Sequence, residues 1–196
     1  MSQPGWRAGV VALLVAAVPA CSTQPAADNS SGGPDVTPVY SETTGRLEAI
    51  ESDSNGDGAI DTRAFMDGPV LRHIEIDRDH DGHFERREYY VADVTNPNAE
   101  PVMERAEEID ADGLLLRVEH YAAGRLDRVE EDLNHDGLMD KWEVYEAGVL
   151  SRLDLDLSGR GRPERRLYYG PAGNVDRIEA DPDGDGVFTA EESGQP

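Results

Sequence analysis

Val144-Tyr-Glu-Ala-Gly-Val-Leu-Ser-Arg-Leu-Asp-Leu155 is all the chain that lies between two acidic loops, and its length decides the fold. Two packed helices do not fit into twelve residues broken at Gly148. Three turns of α-helix already need about eleven residues, and an interior glycine costs a helix about 1 kcal/mol. Two strands of about five residues joined by a glycine turn do fit. The loops on either side therefore belong to β-hairpins rather than to helix-loop-helix units.

The same unit recurs about every two dozen residues, a period that signals a repeat architecture. Its first half reads Gly45 to Asp53, Gly68 to Asp77, Gly124 to Asp132, Gly148 to Asp156 and Gly173 to Asp181. Each copy runs into an acidic loop: Asp53 to Asp61, Asp77 to Glu85, Asp132 to Asp140, Asp156 to Glu164 and Asp181 to Glu192, with a shortened relative at Ile109 to Gly113. Aromatic and β-compatible segments follow the loops. In Gly124 to Asp132, strict alternation puts Leu126, Arg128 and Glu130 on one face and Arg125, Asp127 and Val129 on the other. The expected fold is all-β: an antiparallel meander or open solenoid of repeated β-hairpins with acidic calcium-type loops, preceded by a disordered tether. The stretch Ala92 to Arg105 reads as an inserted loop.

Asp181-Pro-Asp-Gly-Asp-Gly186 shows why the loops suggest a cation. Oxygen-bearing side chains at loop positions 1, 3 and 5 point inward in a tight turn, glycine at 6 permits the bend, and a carboxylate at 12 closes the shell. Three loops carry full sets: Asp77, Asp79 and Asp81 with Glu85 and Glu88; Asp132, Asn134 and Asp136 with Asp140 and Glu143; Asp181, Asp183 and Asp185 with Glu192. The Asp132 set is the strongest match, having the apolar Met139 at position 8. Asp53, Asn55 and Asp57 with Asp61 lack an acid at position 12, where Ala64 stands, so this loop is expected to bind more weakly or borrow a ligand. In the Asp156 loop Arg160 replaces the third ligand and is expected to pair with neighbouring carboxylates. Hard oxygen donors select Ca2+ over Zn2+ or Cu2+. Asp, Asn and Gly also form turns for their own reasons, so a plain Asx-rich turn explains any single loop as well. Three complete sets favour metal.

A net charge of -23 on 196 residues excludes nucleic-acid binding by charge and calls for cations to relieve self-repulsion. His80 and His135, at loop position 4, are expected to point outward. Phe65, Tyr89, Tyr90, Tyr121, Trp142, Tyr145, Tyr168 and Tyr169 are expected in hairpin packing, and Arg72, Arg128, Arg152 and Arg177 in pairs with acids across strands.

At the N-terminus Arg7 precedes an apolar run from Ala8 to Ala20, too short to span a bilayer but right for a signal-peptide core. The run ends at Val18-Pro-Ala-Cys21, which resembles the lipobox of bacterial lipoproteins. That resemblance implies lipidation of Cys21 and a lipid anchor in the bilayer, and Ser22 fits sorting to the outer membrane. A chance cysteine after a simple secretory signal is the alternative. The domain reading is then a signal peptide at 1–20, a flexible acylated tether at 21–44 and a single repeat domain at 45–196.

Tyr121-Ala-Ala-Gly-Arg-Leu-Asp-Arg-Val129 resembles the YD (RHS-type) repeat, with looser copies at Tyr145 and Tyr169. The resemblance implies successive β-hairpins. No nucleophile beside a base, phosphate loop or zinc pair appears, so the chain is expected not to be an enzyme. The expected role is calcium binding with structural or adhesive interaction in the cell envelope, toward an envelope protein or glycan. The alternative is a metal-independent scaffold, and an immunity-type partner of a secreted toxin is a third possibility.

Overall fold

The computed structural model describes residues 35–92, 96 and 99–191. The signal core, Cys21, the tether up to residue 34 and Glu192 lie outside the described residues. Thirteen strands form one antiparallel sheet in sequence order. They are β1 (Asp35–Tyr40), β2 (Leu47–Asp53), β3 (Thr62–Asp67), β4 (Val70–Ile76), β5 (Arg86–Val91), β6 (Val102–Ile109) and β7 (Leu115–Ala122). Then follow β8 (Arg125–Glu131), β9 (Lys141–Glu146), β10 (Val149–Leu155), β11 (Arg165–Tyr169), β12 (Val175–Ala180) and β13 (Thr189–Ala190). The expected β-meander is therefore what the chain forms. Each described strand touches only its neighbours in order, so no described element packs on either face and the sheet is a single layer.

Two boundaries differ from the sequence reading. β1 falls within the stretch read as tether, so the sheet begins ten residues before Gly45. Val36, Thr37, Val39 and Tyr40 are strand formers, and Pro38, which has no N–H to give, is tolerated because β1 is the edge strand. The insertion after β5 is likewise shorter than expected, because 102–105 already belong to β6.

In a meander successive connections alternate between the two ends of the strands. All the tight turns consequently lie at one end and all the acidic loops at the other. Ala123-Gly124 and Ala147-Gly148 turn with both residues in the left-handed region, φ 49° and 73° in the first and 52° and 82° in the second. That is the type I′ geometry whose twist suits a two-residue hairpin.

At the end of the sheet opposite the acidic loops, the second strand of these hairpins carries one extra residue. His120 pairs with Arg128 while the adjacent Tyr121 pairs with Leu126, leaving Asp127 bulged, and the same shift recurs at Arg72, Glu104 and Ser151. The alternation read from the sequence is corrected here. Tyr121 and His120 are consecutive and face opposite ways, so their partners Leu126 and Arg128 do too; a bulge resets a period of two.

The core is correspondingly thin: Ala49, Ala64, Ala106, Ile109, Val118 and Val129 are its buried apolar members. Charged ladders occupy the middle of one face. Arg86 Nε donates to Glu88 at 2.7 Å, and its Nη atoms reach Glu108 at 3.4 Å and, across β6, Glu119 at 3.3 Å. Ala106, fully buried between Glu88 and Glu119 in register, leaves room for that reach. The chain of pairs continues through Arg117, Glu131, Lys141 and Glu143. Tyr90, Tyr121 and Tyr145 hydroxyls each donate to the glutamate two residues earlier at 2.8 Å. Burial first, then that hydrogen bond, raises the Tyr121 and Tyr145 hydroxyls to about 12. Of the arginines expected to pair across strands, Arg72 does, to Asp67 at 2.8 Å. Arg128, Arg152 and Arg177 instead pair along their own strand, with Glu130, Asp154 and Glu179. Residues two apart share a face, which makes these the nearest acids.

Candidate metal centre

The five full acidic loops follow β2, β4, β8, β10 and β12, all at the same end of the sheet. Loops separated by two strands stand about 10 Å apart. The backbone joins them: Asp77 N–H donates to the Asp61 carbonyl at 2.7 Å, Asp156 to Asp140 at 2.7 Å and Asp181 to Glu164 at 2.8 Å. The first residue of each of these loops thus hangs on the ninth-position residue of the one before.

Within a loop the first aspartate organises the turn. Asp77 Oδ1 accepts His80 N–H at 2.7 Å and Oδ2 accepts Gly82 N–H at 2.8 Å; Asp53, Asp132, Asp156 and Asp181 accept the equivalent pairs. Position 4 is left-handed in every loop, φ 62° at both His80 and His135 and glycine elsewhere. Burial opposes charge on Asp132, Asp156 and Asp181, but these N–H groups outweigh it and hold all three below the usual carboxylate range.

In the Asp53 and Asp77 loops the carboxylate that joins the cluster is the one at position 9, Asp61 and Glu85. Oxygens of Asp77, Asp79, Asp81 and Glu85 lie within 4.8 Å of one another, as do those of Asp53, Asp57 and Asp61, and those of Asp181, Asp183 and Asp185. These acidic clusters can hold a metal ion. Glu85 turns one oxygen to Arg78 N–H at 2.8 Å, while its Oε1 is buried without a hydrogen-bond donor among the described residues. The loop from Asp53, expected to be incomplete for want of an acid at position 12, is closed by Asp61, which is 2% exposed. Asp61 Oδ2 accepts Ser54 N–H at 2.6 Å and the Ser54 hydroxyl.

Glu88 and Glu143, the expected position-12 ligands, are placed elsewhere. Both have entered a strand, which rises about 3.3 Å per residue and carries them away from the loop. Glu88 is held by Arg86 and Tyr90, Glu143 by Lys141 and Tyr145. A helix after the loop would have curled back over it; a strand does not. In the strongest sequence match, Asp132, Asp136 and Asp140 are not among the acidic groups drawn within mutual reach. Asn134 stays with them, its side-chain amide donating to Asp140 at 3.3 Å, as Asn55 donates to Asp57 at 3.0 Å.

The sequence reading missed one contact. His80 does not simply point outward: its Nδ1 is 3.0 Å from Asp61 Oδ1, in the preceding loop. The Ser54 hydroxyl and then this imidazole push Asp61 down to about 2, and Asp61 in turn raises His80. His80 takes the position that Gly56, Gly159 and Gly184 hold in other loops, and that substitution was the available signal.

No family model matches the chain, and no curated protein does. Solved structures match at low similarity. A TarM variant from S. aureus, in complex with Fondaparinux, alpha-GlcNAc-glycerol and UDP, is 9% identical over 59% of this chain and 21% of its own, with a TM-score of 0.42. The GtfA/B complex bound to UDP and GlcNAc is 10% identical over 81% and 25%, with a TM-score of 0.37. Accessory secretory protein 1,2 and 3 of Streptococcus pneumoniae is 16% identical over 62% and 19%, with a TM-score of 0.31. The chain spans about a fifth to a quarter of the length of these solved chains. TarM and GtfA/B are glycosyltransferases, and against them the expectation that the chain is not an enzyme is withdrawn. That expectation rested on missing local motifs, and residues distant in sequence also meet by folding. The likeness itself is of a sheet at low similarity and assigns no activity.

Proposed function

We propose that the chain binds Ca2+ along its row of acidic loops, with the Asp77 loop the best-formed site, and that the ions order the loop end of the sheet. The observation that carries this reading is Glu85: a buried carboxylate oxygen without a described donor, beside three aspartates whose oxygens lie within 4.8 Å. Converging carboxylates repel one another, and a hard divalent cation relieves that repulsion while supplying the missing partner. Carboxylate and amide oxygens in a pliable loop suit Ca2+ better than Mg2+, which demands a near-ideal octahedron. The N-terminal lipobox resemblance supports export and a lipid anchor through Cys21, in a bacterial outer membrane. The role in the envelope is then a structural or adhesive one toward a protein or glycan.

A competing reading has its own support. Every full loop is already closed by its first aspartate, so a metal-independent scaffold with acidic turns is consistent with the same hydrogen bonds. Calorimetric titration of the full-length chain with Ca2+, with thermal melts in EDTA and in millimolar Ca2+, separates the two. Heat of binding with an upward shift of the melt is expected. Identical melts with no uptake overturn the calcium reading and leave the scaffold.

A further inference from the structure

The loop from Asp156 to Glu164 shares the backbone of the others but not their charge. Gly159 and Gly161 are left-handed at φ 68° and 71°, where the Asp77 loop has His80 and Gly82 at 62° and 93°. Asp156 Oδ1 accepts Ser158 and Gly159 N–H at 3.0 and 2.9 Å, and Oδ2 accepts Gly161 N–H at 2.5 Å. Position 9 is glutamate in both loops. At position 5, however, Arg160 stands where the Asp77 loop has Asp81. Its Nη1 lies 3.2 Å from Glu164 Oε1, the same oxygen that takes the Ser158 hydroxyl at 2.6 Å. The oxygens that would face an ion thus have a positive charge built into the chain beside them. Arg162, two residues on, donates to the Gly184 carbonyl at 2.5 Å and ties this loop to the next one.

We propose that Arg160 stands in for the cation in this loop, making it a permanently closed, metal-free link in the row between the Asp132 and Asp181 loops. Its guanidinium repels a divalent ion and satisfies Glu164, so the loop keeps its shape when calcium is withdrawn. This rests on the reading of the other loops as calcium sites.

Reciprocal substitutions in the full-length chain test it, with calcium stoichiometry by calorimetry and melts in EDTA. Arg160→Asp leaves three carboxylates and the Ser158 hydroxyl in the loop; it is expected to take up one more Ca2+ than wild type and to melt lower in EDTA. Asp81→Arg places an arginine opposite Glu85; it is expected to take up one fewer and to melt in EDTA at or above wild type. Unchanged stoichiometry in Arg160→Asp overturns the proposal while wild-type uptake keeps the calcium reading. No uptake by wild type overturns both. Should Arg160→Asp fail to fold, Asp81→Arg decides: full retention of calcium, or a lower melt in EDTA, overturns the proposal.

Discussion

Glu85 and Glu88 lie three residues apart, at loop positions 9 and 12, and the structure places them in different surroundings. Glu85 belongs to the acidic cluster at the loop end, with one buried oxygen lacking a described donor. Glu88 lies on the sheet face between Arg86 Nε at 2.7 Å and the Tyr90 hydroxyl at 2.8 Å, with its side chain 16% exposed. On the calcium reading, replacing Glu85 by Gln removes one of the four clustered carboxylates. A charge-assisted contact contributes about 1.5–3 kcal/mol, so calcium affinity in that loop falls about 10- to 100-fold. The EDTA melt holds or rises, because like charges are relieved. Glu88→Gln leaves affinity unchanged within about twofold. It breaks a largely buried ion pair, but Arg86 retains Glu108 and Glu119, so the cost is about 1–2 kcal/mol rather than that of a stranded charge. For a chain of this size that lowers the melt by about 2–8 °C. Calorimetry and thermal melts of the two variants, side by side, make the check. If Glu88→Gln weakens calcium binding as much as Glu85→Gln does, position 12 is the ligand after all and the strand placement of Glu88 has been misread as its function.

The remaining predictions follow from the turns, the core and the loop carboxylates. Ala147 sits at φ 52° in a type I′ turn, so Ala147→Asn raises stability by about 0.5–1 kcal/mol in chemical denaturation, since asparagine tolerates the left-handed region better. Ala106→Leu overfills the fully buried spot beneath the Arg86 bridge and costs about 1–3 kcal/mol in the same assay. Asp156, Asp132 and Asp181 have lowered folded pKa values, so their stabilisation is present above the unfolded value near 3.8 and is lost as pH falls through the folded value. An EDTA melt followed from about pH 5 to about pH 2 therefore drops, and Asp156→Asn shows a shallower drop because one of those groups no longer titrates.

The sequence by itself determined the class of the fold and the rhythm of its parts. Twelve residues between loops, broken at Gly148, leave space for two strands and a turn and for nothing helical, and the stretches 65–76 and 168–180 repeat that argument. It also determined that Arg160 would pair within its own loop, because a cation four residues after one acid, Asp156, and four before another, Glu164, has near partners under any backbone. What only the tertiary structure decided is which groups meet. Loop position 12 became a strand residue because the chain leaves the loop extended, carrying Glu88 and Glu143 into the ladders of Arg86 and Lys141, while the acid at position 9 closed the turn. The bulge beside each tight turn was invisible in a pattern of period two, since one extra residue hides both the apolar and the polar face. The reach of His80 into the preceding loop and of Arg86 over Ala106 arises from registry between strands. Registry is set by pairing across the sheet, and no stretch of chain carries it alone.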